Sequence, residues 1–122
     1  MTILRTAGLF LGPALAAGAA VAQTGAPLQT VRYACDQGKS IVAEYFEGTL
    51  GVAPNGMPIP GGRVSLVLGD GRRLTLPQTL SASGIRYADK GDAIVFWSKG
   101  DTSFVEEGPS RTVTYKDCIA VR

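Results

Sequence analysis

"RVSLVLGDGRRLTL", residues 63–76, decides how the rest of the chain is read. Two runs rich in extended-chain residues, "RVSLVL" (63–68) and "RRLTL" (72–76), flank Gly69-Asp70-Gly71. Asp-Gly supplies the positive φ that a tight hairpin demands, so the stretch predicts two antiparallel strands joined by a short turn.

The same punctuation recurs in both directions. "QTVRYAC" (29–35) and "SIVAEYF" (40–46) flank a turn around Asp36–Lys39. "SGIRYA" (83–88) and "DAIVFW" (92–97) flank Asp89-Lys90-Gly91, and "TSFVEE" (102–107) and "RTVTYKDCIAV" (111–121) flank Gly108-Pro109-Ser110. Eight strands in four hairpins, with no sustained helical period, imply a sandwich or a small barrel. Closure into an eight-stranded antiparallel barrel removes exposed edges and is the favoured form. One segment breaks the rhythm. "EGTLGVAPNGMPIPGGR" (47–63) holds five glycines and three prolines, reads as a long surface loop, and cannot run as a central strand.

The first 22 residues carry one positive charge, Arg5, then an apolar run and the small-residue site Ala20-Val21-Ala22. That layout predicts a signal peptide, 1–22, cleaved to leave one domain, 23–122. No cysteine follows the apolar run to carry a lipid, so the expected product is a periplasmic protein without a membrane anchor. Of 12 basic residues the leader holds only Arg5, leaving 11 against 10 acidic ones, a net charge of +1. Such balance argues against nucleic acid as a partner. Cys35 and Cys118, the two cysteines, are most simply a disulfide in an exported chain. A metal site needs more ligands than two thiols, and the chain contains no histidine. No cofactor is expected, and the residues set no oligomeric state.

The missing histidines also exclude Ser-His-Asp and Cys-His catalysis. A Ser83–Lys99 dyad would need a desolvated lysine, and the polar, glycine-flanked setting offers none. A binding role is therefore the stronger reading. With Lys90-Gly91 as a two-residue loop, Ser83 faces Ser98, and a one-residue slip brings it opposite Trp97. In either register Ser83 and Lys99, each followed by glycine (Gly84 and Gly100), share the end of the hairpin away from its turn. On spacing alone such steps are most often turn chemistry around a solvated lysine. Trp97 and Tyr87 read first as core aromatics.

"SASGIRY" followed by "FWSKGD" resembles the paired motifs of the MliC/PliC family, inhibitors of c-type lysozyme. "YACDQGKSIVAEY" (33–45) and "YKDC" (115–118) resemble the family's opening and closing cysteine segments. The resemblance implies a small eight-stranded barrel with a Cys35–Cys118 bridge. It implies a c-type lysozyme as partner, with Lys99 against the enzyme's catalytic carboxylates and Ser83 hydrogen-bonded beside it. Tyr87 corresponds to the motif tyrosine that shapes the inserted loop, with Gly84 and Gly100 at its edges. The Ser83-to-Lys99 interval and the 47–63 loop are both longer than the family pattern leads one to expect. For a basic target, Asp89, Asp92, Asp101, Glu106 and Glu107 would supply local attraction that the net charge lacks. The alternative within the binding class is an envelope adhesion or assembly module using the same rim.

Overall fold

A computed structural model describes residues 25–122, so the expected signal peptide lies outside the described residues. The strands are β1 (Gln29–Ala34), β2 (Ser40–Phe46), β3 (Gly51–Val52), β4 (Pro58–Ile59), β5 (Arg63–Leu68), β6 (Arg73–Thr79), β7 (Ile85–Ala88), β8 (Ile94–Lys99), β9 (Thr102–Glu107) and β10 (Thr112–Ala120). Eight of them close into a barrel in the order β1-β10-β9-β8-β7-β6-β5-β2, with β3 and β4 as a separate ribbon. Neighbours around the barrel are antiparallel, so the chain runs up and down and the predicted eight-stranded barrel is observed.

Alternation along the strands builds the interior. In β5, Val64, Leu66 and Leu68 are buried while Arg63, Ser65 and Val67 face outward. The turn that follows closes as its sequence requires. Gly71 takes φ +98°, its N–H donates to the Leu68 carbonyl at 2.8 Å, and Asp70 Oδ1 accepts the Arg72 N–H at 3.0 Å. Phe96 sits fully buried among Tyr33, Tyr45 and Tyr87, with ring centroids 6.3, 6.4 and 6.1 Å away. The barrel closes where Tyr33 pairs with Ala120 and Ala34 with Ile119. Beside that closure Cys35 is bonded to Cys118, as expected.

Three details differ from the sequence reading. The β7–β8 turn is wider than two residues. Two hydrogen bonds join Asp89 and Ile94 across it: the Asp89 N–H donates to the Ile94 carbonyl at 3.3 Å, and Asp89 Oδ1 accepts from the Ile94 N–H at 3.0 Å. The register therefore shifts by two, setting Ile85, not Ser83, opposite Ser98. An even shift keeps every side chain on its expected face. Trp97 is not in the core; Phe96 takes the interior place, and Trp97 stacks on Phe104 outside at 6.0 Å with the Arg86 guanidinium 5.7 Å from its ring. Finally, the Gly/Pro stretch contains the β3–β4 ribbon, paired through Gly51–Ile59 and Val52–Pro58.

At the turn end of the barrel, Arg72 donates to both Glu107 carboxylate oxygens at 2.8 and 3.0 Å, and Thr114 Oγ1 donates at 2.6 Å. The Arg72 hydrogen bonds, the largest influence, hold the Glu107 carboxyl below its usual range. A depressed carboxylate stabilises the fold above its unfolded pKa, and that contribution is lost as pH falls through the folded value. Stability measured by urea unfolding is therefore expected to decline more steeply below about pH 4.3 in the native protein than in Glu107→Gln. Equal slopes would contradict the pairing.

Candidate functional site

The up-and-down course sends alternate connections to opposite ends of the barrel. The tight turns after β1, β5, β7 and β9 gather at one end. The other end, the mouth, collects the 47–62 connection, the 80–84 loop, the Lys99–Thr102 turn and the C-terminus. A cavity of 710 Å³ opens there. Its walls include Val31, Ile85 and Ala120, its floor holds Tyr33, Tyr45, Tyr87 and Ser98, and Gly84, Lys99, Gly100 and Asp101 stand on its rim.

Lys99 ends β8, and the following turn is pinned by the Thr102 hydroxyl donating to the Lys99 carbonyl at 2.9 Å. The Lys99 side chain is exposed, and among the described residues no carboxylate lies within ion-pair distance of its ammonium. Nearby Asp101 is engaged by Arg122 instead. Lys99 thus stands on the crest of the barrel wall. Inside it is the mouth cavity, and outside it a shallow groove shared with Ser83, Trp97 and Phe104.

Ser83 belongs to the loop before β7 rather than to the strand. Ser81 braces that loop, its hydroxyl donating to the Ser83 carbonyl at 2.7 Å and accepting from the Ser83 N–H at 3.3 Å. Gly84 has φ +70°, and a Cβ added to it would lie 2.9 Å from the Ser98 carbonyl oxygen and 3.2 Å from Lys99 Cβ. The absence of a side chain at 84 is what lets the serine loop lie against the lysine stem. Gly84→Ala is expected to cost about 1–2 kcal/mol through the left-handed backbone and the tight approach, read as a lower urea midpoint. An unchanged midpoint would mean that the loop lies elsewhere in solution. Gly100 also has a positive φ, +58°, but an added Cβ there meets nothing within 4 Å. Its role is confined to the backbone of the turn.

Tyr87 is 4% exposed and lies inside the barrel, not on the rim. Burial pushes its hydroxyl up to about 12 and raises that of Tyr45 as well. Tyr45 donates to Ser98 Oγ at 3.0 Å and shares a 2.6 Å hydrogen bond with the Tyr33 hydroxyl. This hydrogen-bonded chain braces β8 at Ser98, the residue before Lys99. Sequence reasoning did not single out Tyr33, Tyr45 or Ser98; their inward positions in β1, β2 and β8 were the available signal.

The structure brings Ser83, Gly84, Lys99 and Gly100 together at the mouth, with Tyr87 below them. It separates the acidic residues. Only Asp101 shares this end, whereas Asp92, Glu106 and Glu107 are bound by Arg86, Arg111 and Arg72 around the tight turns. Of the acidity expected beside Lys99, the mouth therefore keeps Asp101 alone, paired with Arg122, while Glu47 also lines the cavity. Among the described residues, no cluster of His, Cys, Asp and Glu could hold a metal ion, and no helix is long and apolar enough to cross a membrane.

The family model described as "Membrane-bound lysozyme-inhibitor of c-type lysozyme" matches residues 33–113, a span that includes every candidate residue at the mouth. The chain is 52% identical over 56 residues to the membrane-bound lysozyme inhibitor of C-type lysozyme of Yersinia enterocolitica, covering 46% of this chain and 44% of that protein. Its counterpart in Cupriavidus necator is 32% identical over 74 residues, 61% of this chain and 49% of that protein. The chain thus aligns with about half the length of these curated relatives. No solved structure matches it significantly.

Proposed function

Because the chain belongs to the family of membrane-bound lysozyme inhibitors of c-type lysozyme, we propose that it inhibits such a lysozyme by placing Lys99, with Ser83 beside it, in the substrate cleft. The supporting observation is an exposed ammonium without an ion-pair partner among the described residues, raised on a braced wall next to a serine loop. A lysozyme needs two carboxylates flanking the scissile bond, one protonated and one ionised. An ammonium lodged between them occupies the sugar's place and disturbs that division of protons.

On this reading the protein is a binder that turns nothing over, and the export signal expected at 1–22 supports a periplasmic location. Both relatives carry "membrane-bound" in their names, and an envelope location suits an inhibitor that meets lysozyme before peptidoglycan does. Tyr87 acts from beneath, stiffening the wall that carries Lys99, while Gly84 and Gly100 shape the two loops.

The test is lysis of a cell-wall suspension by a c-type lysozyme as the mature protein is titrated in. Inhibition is expected to saturate near one inhibitor per lysozyme. Ser83→Ala is expected to weaken it by about 1–3 kcal/mol, the cost of a lost hydrogen bond at a buried contact. Undiminished lysis at excess inhibitor would remove this function, and full potency in Ser83→Ala would remove the serine from it.

A further inference from the structure

Residues 48–62 are the part of the mouth to which the inhibitor reading gives no role. The stretch contains no charged residue, although Glu47 and Arg63 bracket it. It exposes Leu50 (68%), Val52 (74%), Met57 and Ile59. Exposed apolar side chains without charge match the composition of an interface core rather than of a solvated loop.

The segment is also built to hold a direction. Its ribbon turns at Asn55-Gly56, where the Ala53 N–H donates to the Met57 carbonyl at 2.8 Å and the Gly56 N–H to the Ala53 carbonyl at 2.8 Å. At the base the two legs touch backbone to backbone. A Cβ on Gly48 would fall 1.7 Å from the Gly61 carbonyl oxygen, and one on Gly61 would fall 1.8 Å from that of Thr49. Only glycine fits such a neck. The neck lines the same 710 Å³ cavity as Lys99 and Gly84.

We propose that this arm is a second contact of the lysozyme interface, resting its apolar face on the lip of the cleft that Lys99 enters. The inference depends on the inhibitor reading and extends it. An uncharged arm adds no repulsion toward a basic enzyme, and a clamped one loses little conformational freedom on binding. Its contribution should therefore appear in the dissociation rate.

The test measures association and dissociation of the mature protein with a c-type lysozyme. The triple variant Val52→Ser, Met57→Ser, Ile59→Ser keeps the charge unchanged and alters only exposed positions. It is expected to dissociate about tenfold faster or more, with its thermal midpoint unmoved. Gly61→Ala, which displaces the arm at its neck, should move the dissociation rate in the same direction. Val113→Ser, an exposed apolar position on β10 away from the mouth, should leave it unchanged. If the triple variant binds as wild type while Lys99→Ala loses binding, the arm is outside the interface and this inference falls alone. If wild type does not bind, it falls together with the inhibitor reading.

Discussion

Lys99→Ala is expected to weaken binding to a c-type lysozyme by about 2–5 kcal/mol, or roughly thirtyfold to several thousandfold. The size follows from what the truncation leaves behind. Enzyme carboxylates sealed under the inhibitor would lose both their water and their counter-ion, and an unpaired buried charge costs more than the pair itself contributes. Lysine suits the task because it carries a compact charge on a flexible stem. Here that stem is steadied where it leaves the wall by the close approach of Gly84. Lys99→Arg keeps the charge but replaces the point with a planar fork, and should recover only part of the loss. Lys99 is exposed and has no ion-pair partner among the described residues, so the alanine variant should fold as wild type. Inhibition by Lys99→Ala equal to wild type would show the key to be elsewhere.

The second large effect concerns the fold. Opening the Cys35–Cys118 bridge, as in the double alanine variant, should cost about 4–5 kcal/mol, since the bonded residues are 83 apart in sequence. The site of the bridge adds to the reason. β1 and β10 pair only at Tyr33–Ala120 and Ala34–Ile119, extended by the Val121 N–H donating to the Arg32 carbonyl at 2.8 Å, whereas β2 and β5 pair along six consecutive residues. The bridge lies directly beside that short seam. For a domain of this size the loss corresponds to roughly 20 °C in thermal midpoint. A calorimetric scan of the variant, or of the reduced protein, reads it directly. A drop of only a few degrees would mean that the seam holds without its covalent tie.

Much of this architecture is legible in the sequence because turn chemistry punctuates it. Gly69-Asp70-Gly71 announces a hairpin and one forms, with Gly71 at φ +98°. The same reasoning undersized the β7–β8 turn. There Asp92 adopts φ +57° and the Asp89 carboxylate caps the Ile94 N–H, a side-chain closure that residue spacing does not reveal. Trp97 was misplaced because size suggests burial, whereas strand parity, set by Phe96, decides it. In the 47–63 stretch, Asn55-Gly56 is itself a hairpin signal. The surrounding prolines masked it, yet Pro58 is tolerated because a two-stranded ribbon has free edges. The mouth was legible as a place, since Ser83 and Lys99 fall at one end in any register. Its phenol floor was not, because Tyr33 and Tyr45 come from strands distant in sequence from Ser98, and the glycine contact beneath Lys99 was not, because it depends on the two-residue change of register and the positive φ of Gly84.

The most direct test of cleft insertion is competition. Binding of the mature protein to a c-type lysozyme would be measured with increasing amounts of an N-acetylglucosamine oligosaccharide that fills the same cleft. If Lys99 occupies the sugar's place, the apparent dissociation constant rises linearly with free oligosaccharide, by the factor of one plus its concentration over its own dissociation constant. A dissociation constant unmoved by a saturated cleft would contradict the account, whatever the potency of inhibition.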